Sequence, residues 1–436
     1  MRIAVIGSGI SGLASAWLLS RKHEVVLFEA NDYLGGHTHT HDIELEGAQY
    51  QVDTGFIVHN PLNYPLLTRM FEELGVATKP TTMGFSMHSE ASGVEYNANS
   101  LDGLFCQRGN LLSPRFWRML GDLRRFYRIA PRLLDSEDPG PALGDYLQQH
   151  GFGEAFRDEH LLPMASALWS SPSAQILSFP ARYLVQFMAN HHMLQVSGRP
   201  DWRVVRGGSA TYVRALQQQW QASVRLRSPV QSVRRDDDGV EVTTADGAER
   251  FGQVVLACHS DQALALLADP DDRESAILGA IPYQSNDVVL HTDASLLPRN
   301  RKAWAAWNAH VPRNPGDACT VSYCMNLLQG IDAPQPLVVT LNRTDAIDSS
   351  RILRRVSYAH PVYTHASVAA QARRYVIQGQ RRTWFAGAYW GWGFHEDGIR
   401  SAVEVARALG VRWEAMTSAT ADAPEVPLSV LAPACT

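Results

Sequence analysis

The sequence has few cysteines and few charges, and each scarcity excludes a class of protein. Its five cysteines form no CxxC pair and no Cys/His ligand spacing, which argues against a disulfide framework and a zinc site. Charged residues make up 19% of the chain and the formal net charge is −5, so nucleic acid is not expected as a partner. The chain has neither a signal-peptide cleavage pattern nor an apolar run of about eighteen residues. We therefore expect a reducing compartment, the cytoplasm.

Apolar and aromatic residues, by contrast, are abundant. Hydrophobic residues make up 45% of the chain, which contains 11 Trp, 14 Tyr and 14 Phe. This composition is typical of a globular protein. A chain of 436 residues is longer than one hydrophobic core usually supports, so the length predicts two intertwined domains of roughly 150–250 residues each.

The first thirty residues have the pattern of a strand, a glycine-rich turn, a helix and a second strand. Apolar runs at 2–6 and 24–28 enclose a segment with helical spacing, 11–19. An acidic residue, Glu29, follows the second run. This order predicts a compact β-α-β unit at the start of the chain.

The turn between the first strand and the helix is a G-x-G-x-x-G motif. Gly7 permits the tight turn, Gly9 lets a pyrophosphate approach the backbone, and Gly12 lets the helix pack against the strand. Ile10 and Ser11 open the helix, whose N-terminal amides and positive dipole end attract phosphates. Because the acidic residue after the second strand is placed to bind ribose hydroxyls, the motif predicts a dinucleotide site.

Beyond this unit the pattern alternates between sheet and helix. A hairpin is predicted at 43–52, and long helical segments with proline punctuation extend over 61–200. Alternating strands return at 230–256 as a β-meander that ends in a buried strand. After a mixed segment, 271–379, the stretch 383–409 predicts a final strand, a glycine-rich loop and a helix.

Two further glycine motifs carry a family resemblance. Gly35, Gly36 and His37 follow the acidic residue, and Thr54 and Gly55 follow the predicted hairpin. The pattern resembles the superfamily of flavin-containing amine oxidases, protoporphyrinogen oxidases and phytoene desaturases. The resemblance implies FAD rather than NAD as the cofactor, with these residues at its binding site. His37 stands where many members have Arg, and a neutral imidazole offers one hydrogen-bond donor where a guanidinium offers a fork.

The C-terminal part of the chain extends this resemblance. The superfamily closes its FAD site with a Phe-Ala-Gly loop, matched here by the stretch that ends at Gly387, and with a helix that begins near Asp397 and Gly398. The resemblance implies that Asp397 and Gly398 contact the cofactor, with the Gly398 amide at the flavin, and that the Val230 backbone meets the adenine. Ala388 occupies a position that is often acidic in the superfamily, so the chain departs from the usual ribityl contact.

Pattern and resemblance together predict an α/β fold. It consists of a Rossmann-type FAD-binding domain, with a central parallel sheet and a β-meander, and a discontinuous α+β substrate domain like that of the amine oxidases. The FAD-binding domain is expected at 1–60, 201–270 and 380–415, and the substrate domain at 61–200 and 271–379. The final segment, 416–436, is rich in Ala, Thr, Ser and Pro, which predicts a disordered tail.

A narrower similarity extends along most of the chain. It rests on short stretches at 99–101, 114–116, 162–164, 202–209, 360–362 and 393–398. These resemble bacterial NAD/FAD-binding oxidoreductases associated with cyclopropane-fatty-acid-synthase-like methyltransferases, some of which are implicated in oxidising or desaturating methyl-branched acyl chains. The resemblance implies an acyl-lipid substrate and a functional partnership with a lipid methyltransferase, although a fold and a cofactor do not fix a substrate.

Candidate catalytic residues follow the closing glycine loop. Tyr389 and Trp392 are spaced so that they could line the flavin ring, and they could equally pack the domain junction. His395 and Glu396 are the polar residues nearest in sequence to the expected flavin edge, so either could accept the proton lost beside a hydride. A carboxylate at a helix N-terminus is also an ordinary cap.

Alternating histidines at His37, His39 and His41 raise the question of a metal site. A phosphate-binding loop that runs into a strand explains them without a metal, and no acidic residue at ligand spacing accompanies them, so we predict no metal. No second G-x-G-x-x-G motif follows a later strand, which argues against an NAD(P)H domain. Reoxidation of the flavin by dioxygen or a quinone-like acceptor is therefore expected.

The segment 114–134 suggests a macromolecular partner. Apolar residues recur in it at helical spacing, and six arginines accumulate with one aspartate. Such a helix could lie on anionic phospholipid at the inner face of the membrane. The alternative is a solvated basic face that covers the substrate domain.

The sequence thus favours an FAD enzyme that takes a hydride from an apolar substrate onto flavin N5. Desaturation or oxidation of a methyl-branched or unsaturated fatty acyl lipid is the main expectation. Three alternatives stay open: an amine oxidase, a redox-neutral fatty acid double-bond isomerase, and a non-catalytic flavin-binding lipid protein.

Overall fold

The computed structural model describes residues 1–314 and 319–413. The tail that the sequence predicts to be disordered, 416–436, lies outside these residues. Within the described ranges, no helix combines the length and the apolar character that crossing a bilayer requires.

The strands of the described residues have the following bounds in chain order: β1 Arg2–Ile6, β2 Glu24–Phe28, β3 Thr40–Leu45, β4 Ala48–Asp53, β5 Val58–His59, β6 Thr78–Pro80, β7 Phe85–Ser89, β8 Glu95–Asn97, β9 Arg203–Val205, β10 Ser223–Arg225, β11 Ser232–Arg235, β12 Val240–Thr244, β13 Gly247–Phe251, β14 Gln253–Leu256, β15 Tyr283–His291, β16 Trp307–Val311, β17 Thr320–Cys324, β18 Val338–Leu341, β19 Ile352–Pro361 and β20 Thr383–Phe385.

The α-helices of the same residues are α1 Ile10–Leu19, α2 Pro65–Leu74, α3 Leu101–Leu104, α4 Pro114–Ile129, α5 Leu143–Gln149, α6 Glu154–Phe156, α7 Leu162–Trp169, α8 Ser173–Leu177, α9 Ala181–Asn190, α10 Ala210–Gln219, α11 Ser260–Leu266, α12 Asp272–Leu278, α13 Met325–Leu328, α14 His365–Ala372 and α15 His395–Ala408. Short 3-10 turns join several of them, and one π-helical turn, Arg157–Leu161, separates α6 from α7.

The first domain is centred on a five-stranded sheet in the order β10-β2-β1-β14-β20, in which all neighbouring strands are parallel. Its inner strands are continuous buried apolar runs, as expected for a parallel sheet that is covered on both faces. The helix α1 follows β1 and is buried along its whole length. This arrangement confirms the predicted β-α-β unit and the Rossmann-type parallel sheet.

The last described helix, α15, packs directly on α1. A Cβ atom on Gly398 would lie 2.6 Å from Cγ2 of Ile10 and 2.8 Å from Oγ of Ser11. Glycine at this position therefore lets the two helices approach closely. Ile399 of α15 joins Leu13 of α1 in one buried core. The C-terminal helix thus completes the cover over the N-terminal β-α-β unit.

Two antiparallel units flank the parallel sheet. The strands β3 and β4 form a hairpin whose turn residues, Glu46 and Gly47, have φ angles of 52° and 80°, as a type I′ turn requires. The strands β11, β12 and β13 form a meander that leads into β14 of the parallel sheet. The predicted hairpin and the predicted meander are both confirmed.

The second domain contains a seven-stranded sheet in the order β19-β15-β18-β17-β16-β7-β8, antiparallel except for the pair β16 and β7. Its strands come from both predicted parts of the substrate domain, 61–200 and 271–379. The helices α4 to α9 form an apolar core beside this sheet, which Met87 and Tyr96 of the strands also enter.

A small antiparallel sheet in the order β5-β9-β6 connects the two domains. Two of its strands come from segments that were predicted to bind FAD, and the third comes from the predicted substrate domain. The α/β fold class and the discontinuous second domain are confirmed, and the domain boundaries themselves stay a prediction.

Candidate active site

One cavity of about 1520 Å³ extends from the carboxyl ends of β1 and β2 into the helical part of the second domain. A drug-sized ligand occupies a pocket of roughly 300–1,000 Å³, so the volume of this cavity is larger than one such ligand fills. Its wall is formed by residues from both domains. The cavity therefore has room for a dinucleotide and for a second molecule.

The glycine-rich turn forms one end of the cavity. Gly7 has a φ of 96°, a left-handed conformation that favours glycine. A Cβ on Gly12 would lie 1.8 Å from the carbonyl oxygen of Gly7, so glycine is needed where α1 meets the turn. A Cβ on Gly9 would meet nothing within 4 Å, and Gly9, Ile10 and Ser11 line the cavity. The turn thus leaves open space for a phosphate group at the start of α1.

The carboxylate of Glu29 lies at the same end of the cavity. Its Oε2 atom accepts hydrogen bonds from the amide nitrogen of Ser8 at 2.9 Å and from the Ser8 hydroxyl at 2.6 Å. Its Oε1 atom accepts from the backbone and side-chain nitrogens of Asn31, each at 2.9 Å. Glu29 and Val230 both line the cavity, where the ribose and the adenine of a dinucleotide were expected. Both residues thus belong to the cavity wall, and their contacts with an adenosine stay a prediction.

The second glycine motif comes close to the first. A Cβ on Gly36 would lie 3.0 Å from the Cα of Gly9, and a Cβ on Gly55 would lie 2.0 Å from the carbonyl oxygen of His37. Gly35 also has a positive φ, 127°. The residues Gly35, Gly36, His37, Thr54 and Gly55 all line the cavity. These close backbone approaches form a cradle that fits a pyrophosphate and the group beyond it.

His37 lies in a group of buried imidazoles. Its ring centroid is 5.3 Å from that of His360 and 6.0 Å from that of His259, and the edge of Tyr358 packs against it. Burial lowers the pKa of His37 well below its usual value, and the neighbouring His360 and His259 lower it further. His39 and His41 pack against each other, and Nδ1 of His39 lies 3.2 Å from the hydroxyl of Tyr358. No group of three metal-binding side chains forms among the described residues.

The loop after β20 closes the other side of the cavity. A Cβ on Gly387 would lie 2.0 Å from Cε1 of Tyr389, so the tyrosine ring folds back over this glycine. Tyr389 is buried and lines the cavity. Trp392 also lines it, and the Trp392 carbonyl accepts a hydrogen bond of 3.3 Å from Nε1 of Trp169. Both predicted aromatic residues therefore belong to the cavity wall, and their role in the reaction stays a prediction.

His395 is the titratable residue of α15 that lines the cavity. Its Nε2 atom lies 3.0 Å from Oγ1 of Thr38 and 3.2 Å from the hydroxyl of Tyr212, which also bond to each other. The ring stacks on Phe56 with a centroid distance of 3.7 Å. Burial, with a smaller contribution from His59, lowers the pKa of His395 to about 3. The imidazole is therefore neutral and fixed in orientation.

Glu396 and Asp397 point away from the cavity. The two carboxylate oxygens of Glu396 accept hydrogen bonds from the amides of Leu66 and Leu67, at 3.0 and 3.1 Å, and so cap the start of α2. Asp397 accepts from the amides of Trp392 and Phe394, which caps its own helix. We therefore correct the assignment of Glu396 from a candidate base to a cap.

The predicted cofactor contacts Asp397 and Gly398 are likewise absent from the described wall of the cavity. The Asp397 carboxylate is occupied by its own helix and by Arg400, and Gly398 faces α1. The positions give Asp397 a capping role and Gly398 a packing role. The sequence did not distinguish these roles from cofactor binding, because a polar helix start can serve either.

Thr38, Phe56 and Tyr212 are site residues that the sequence analysis missed. They contact His395 from two parts of the chain, because Thr38 and Phe56 flank the hairpin of β3 and β4 and Tyr212 lies in α10. Thr38 directly follows the predicted phosphate loop, which was the one available signal for it. Nothing in the sequence around Tyr212 marks it, since it lies within an ordinary amphipathic helix, α10.

The second half of the cavity is predominantly apolar. Its wall in the helical domain and the seven-stranded sheet includes Met83, Phe85, Met164, Leu168, Trp169, Phe187, Met193, Leu328 and Leu341. The carboxylates of the described wall are those of Glu29, at the adenosine end, and Asp201, which is exposed. Burial lowers the pKa of His160, His191 and His360 to about 4 in each case. These imidazoles are therefore neutral, and the charged side chains of the described wall outside the adenosine end are those of Arg199, Arg203 and Asp201.

The parallel sheet, its glycine turn and the two-part cavity define an oxidoreductase of the dinucleotide-binding type. Comparison with known families makes this assignment more specific. The chain belongs to the family of flavin containing amine oxidoreductases, whose match extends over residues 10–350. The cofactor of this FAD-dependent oxidoreductase family fits the glycine cradle and the adenosine end described above.

Relatives and solved structures agree with this membership. A protein named as a flavin-containing monoamine oxidase in Mycobacterium tuberculosis is 26% identical over 281 residues, which cover 62% of this chain and 59% of that protein. The chain thus spans less than two thirds of the length of that relative.

Two solved structures show the same fold. Cyclohexylamine oxidase from Brevibacterium oxydans has a TM-score of 0.66 at 16% identity, covering 94% of this chain and 98% of its own. A CLA-producing fatty acid isomerase from P. acnes has a TM-score of 0.67 at 16% identity, covering 94% of this chain and 99% of its own. At such identities the likeness establishes the fold and leaves the substrate open.

Proposed function

We propose that the protein is an FAD-dependent enzyme that removes a hydride from the acyl chain of a lipid, in a desaturation or a related oxidation. The observation that carries this proposal is the apolar second half of the cavity, lined by Met, Leu, Phe and Trp side chains. Burial of a long hydrocarbon chain against such a wall stabilises the complex by roughly 0.8 kcal/mol for each buried methylene.

The charges around the cavity also favour an acyl substrate over a cationic amine. A buried ammonium group needs a carboxylate or an aromatic cage to offset its desolvation. The carboxylates of the described wall lie at the adenosine end and at an exposed position, Glu29 and Asp201. Arg199, which is exposed, also lines the cavity, and a guanidinium there could bind the carboxylate or phosphate of a lipid headgroup.

Bound FAD supplies the redox chemistry: it accepts two electrons with the hydride and passes them to dioxygen or a quinone-like acceptor. The protein must then accept the proton that leaves the neighbouring carbon when the double bond forms. We assign this proton to His395, whose imidazole lines the cavity in its basic form and is held by the hydroxyls of Thr38 and Tyr212. Because a pKa of about 3 makes the ring a weak base, the proton must leave it again through these hydroxyls. The apolar wall excludes water from the reacting carbons.

Amine oxidation is a second candidate, favoured by the aromatic part of the wall. Phe187 stacks on Phe394 with a centroid distance of 5.2 Å, and the ring centroids of Phe187 and Trp169 lie 4.8 Å apart. Aromatic faces of this kind can hold a neutral or cationic amine without a carboxylate. The family match and the monoamine oxidase relative support this candidate as well.

The visible spectrum of the purified flavoprotein under anaerobic conditions tests the proposal. Phospholipids with monounsaturated or methyl-branched chains, dispersed in nonionic detergent, are expected to bleach the flavin band, which returns on admission of air. Phospholipids with short saturated chains serve as the control. Bleaching by benzylamine or cyclohexylamine, with a stable band in every lipid, would overturn the proposal in favour of amine oxidation.

Mass spectrometry of the recovered lipid completes the test. Desaturation lowers the mass of the acyl chain by two hydrogens, in amounts that match the flavin reduced. A double bond that has moved without a change of mass identifies the redox-neutral isomerase and contradicts net oxidation. A lipid that binds but neither reacts nor bleaches the flavin identifies a lipid carrier and contradicts catalysis.

A further inference from the structure

Four large apolar side chains are exposed together near the start of α4. Leu112 is 88% exposed, Leu101 77%, Trp117 51% and Leu111 45%. We call these four residues the apolar tip. Single exposed apolar residues are common on protein surfaces, but a contiguous group marks an interaction surface.

Contacts connect the chain segments that carry the apolar tip. Nε1 of Trp117 donates a hydrogen bond of 2.9 Å to the carbonyl oxygen of Leu111. The Trp117 ring lies 5.5 Å from the ring of Phe105, and the Phe105 amide donates to the carbonyl oxygen of Leu101 at 3.0 Å. The tip is therefore one surface built from α3, the turn after it and the first turn of α4.

The backbone holds these side chains outward. The hydroxyl of Ser100 accepts a hydrogen bond of 3.0 Å from the Gly103 amide and caps α3. The hydroxyl of Ser113 accepts from the Phe116 amide at 3.3 Å, and Pro114 occupies the first position of α4, where proline is favoured. Capped helix starts fix the direction of the apolar residues beside them, so their exposure is a property of the fold.

Positive charge surrounds the apolar tip. Exposed basic residues lie on the same three elements and on the neighbouring turn: Arg108, Arg115, Arg118, Arg301 and Lys302. Two carboxylates offset part of this charge: Asp102 pairs with Arg108 and Lys302, and the buried Glu159 pairs with Arg115. The surface thus combines apolar side chains with a net positive charge, which is complementary to the interface of an anionic bilayer.

The rest of α4 limits how a membrane could meet it. Its apolar face is buried in the core of the second domain through Phe116, Met119 and Phe126. The apolar periodicity of 114–134 therefore reflects packing in the core, and this face of the helix is not available for insertion into lipid. The outward face carries Arg118, Arg124 and Arg128, so contact with a bilayer involves the tip and these arginines.

The apolar tip lies close to the cavity. Ala98 belongs to the cavity wall and precedes Leu101 by three residues, a reach of at most roughly 11 Å. The side chain of Asn99 packs against Gly84, which also lines the cavity. The tip residue Leu101 is therefore within a few residues of the cavity wall along the chain.

We propose that the apolar tip and its basic surroundings dock the protein on an anionic phospholipid bilayer. Docking there brings the acyl-lipid substrate beside the cavity. This role in substrate delivery rests on the proposed function, whereas the binding of the tip to a bilayer is independent of it. A second copy of the chain is a poorer occupant, because two like-charged surfaces would repel each other.

Sedimentation of the FAD-loaded protein with lipid vesicles tests the proposal. The protein is expected to pellet with phosphatidylcholine vesicles that contain phosphatidylglycerol, more weakly with phosphatidylcholine alone, and less at high salt. The double variant Leu112→Ser and Trp117→Ser is expected to bind at least about tenfold more weakly, because two apolar anchors are lost. The matched control is Tyr375→Ser, at a position that is 70% exposed elsewhere on the surface.

Charge reversal gives an independent readout. Arg118→Glu is expected to weaken binding roughly fivefold or more, since each basic residue near an anionic surface contributes about 1 kcal/mol. Arg214→Glu, on α10, is the control and is expected to bind like the wild type. Each variant must keep the flavin spectrum and the melting temperature of the wild type, which shows that it is folded.

The outcomes separate docking from function. Equal binding by the wild type and the tip variants overturns docking through this surface, and so does a tip variant that changes oligomeric state rather than vesicle binding. A protein that does not pellet, yet is bleached by lipid in detergent, contradicts docking and supports the proposed function. A protein that pellets as expected, yet is never bleached by lipid, supports docking and contradicts the proposed function.

Discussion

Gly36 lies so close to Gly9 that a Cβ at Gly36 would stand 3.0 Å from the Cα of Gly9. The two glycines belong to separate motifs and meet across the cavity end that fits the pyrophosphate. They differ in one respect, because a Cβ on Gly9 would meet no protein atom within 4 Å. The space beside Gly9 is therefore open to a ligand, whereas the space beside Gly36 is filled by the backbone of the protein.

Replacing Gly9 should separate cofactor binding from folding. Gly9→Val is expected to fold, because the side chain finds open space, and to lose FAD, because that space is the phosphate site. The flavin absorbance per protein and the far-UV circular dichroism measure the two effects. Gly121→Val is the control, since Gly121 is equally open and lies outside the cavity. A fully yellow Gly9→Val protein would remove the N-terminal cofactor assignment.

Glu396 should reveal its capping role through pH. Burial raises its pKa to about 7, and the Leu67 and Leu66 amides oppose this rise. The folded protein thus retains this proton to a higher pH than the unfolded chain. Protonated Glu396 therefore contributes its whole stabilisation of the folded state below the ordinary carboxyl pKa, and this contribution is lost as pH rises through about 7. Glu396→Gln cannot titrate but leaves one of the two amides without its acceptor, so it should be less stable than the wild type in acid, and this deficit should shrink by about 1–3 kcal/mol as pH rises through 7.

Thermal melting over a range of pH measures this difference. Glu72→Gln, on the exposed side of α2, is the control and should not alter the pH profile. The Glu396→Gln protein should also reduce its flavin at the wild-type rate. A large loss of that rate with an unchanged stability profile would show that Glu396 takes part in the reaction and that the cap assignment is wrong.

His395 should affect the reaction without affecting cofactor content. If it accepts the substrate proton, His395→Gln should slow anaerobic flavin reduction about 10²–10⁴-fold, the usual contribution of a general base. Tyr212→Phe should have a smaller effect, because it removes one of the two hydroxyls that orient the ring. Stopped-flow absorbance measures both rates. A His395→Gln protein that reacts at the wild-type rate would exclude this residue as the acceptor.

FAD affinity should increase as pH falls, through His37. Its pKa in the folded protein is lowered by burial and by His360 and His259, so the ring is neutral without an anion. A phosphate beside it would favour the protonated ring, which links binding to proton uptake and gives at most about a tenfold change per pH unit. Titration of the apoprotein with FAD at several pH values measures the slope. His37→Gln should flatten it, whereas His41→Gln, outside the cavity wall, should not.

Several elements could be predicted because they depend on neighbouring residues. The turn at Gly7, the hairpin at Glu46 and Gly47, and the meander before β14 each need only a short pattern of glycines and alternating apolar residues. Their geometry is fixed by local backbone sterics, so the sequence is sufficient. The position of Glu29 at the end of β2, beside the glycine turn, was predictable for the same reason.

The parts that were missed depend on contacts between distant segments. The partners of the Glu396 carboxylate are amides that lie 330 and 329 residues away, so the sequence could not distinguish a base from a cap. Tyr212 is separated from His395 by 183 residues. The parallel pairing of β7 with β16 likewise joins two segments that no local pattern connects.

The burial of α1 has a consequence for the order of synthesis. All ten of its residues are buried, and part of its cover comes from α15 near the end of the described chain. At ordinary rates of translation, tens of seconds pass between the emergence of these two helices from the ribosome. During that interval an apolar helix lacks part of its cover, which exposes the nascent chain to aggregation. Truncation before α15 should therefore remove solubility as well as cofactor.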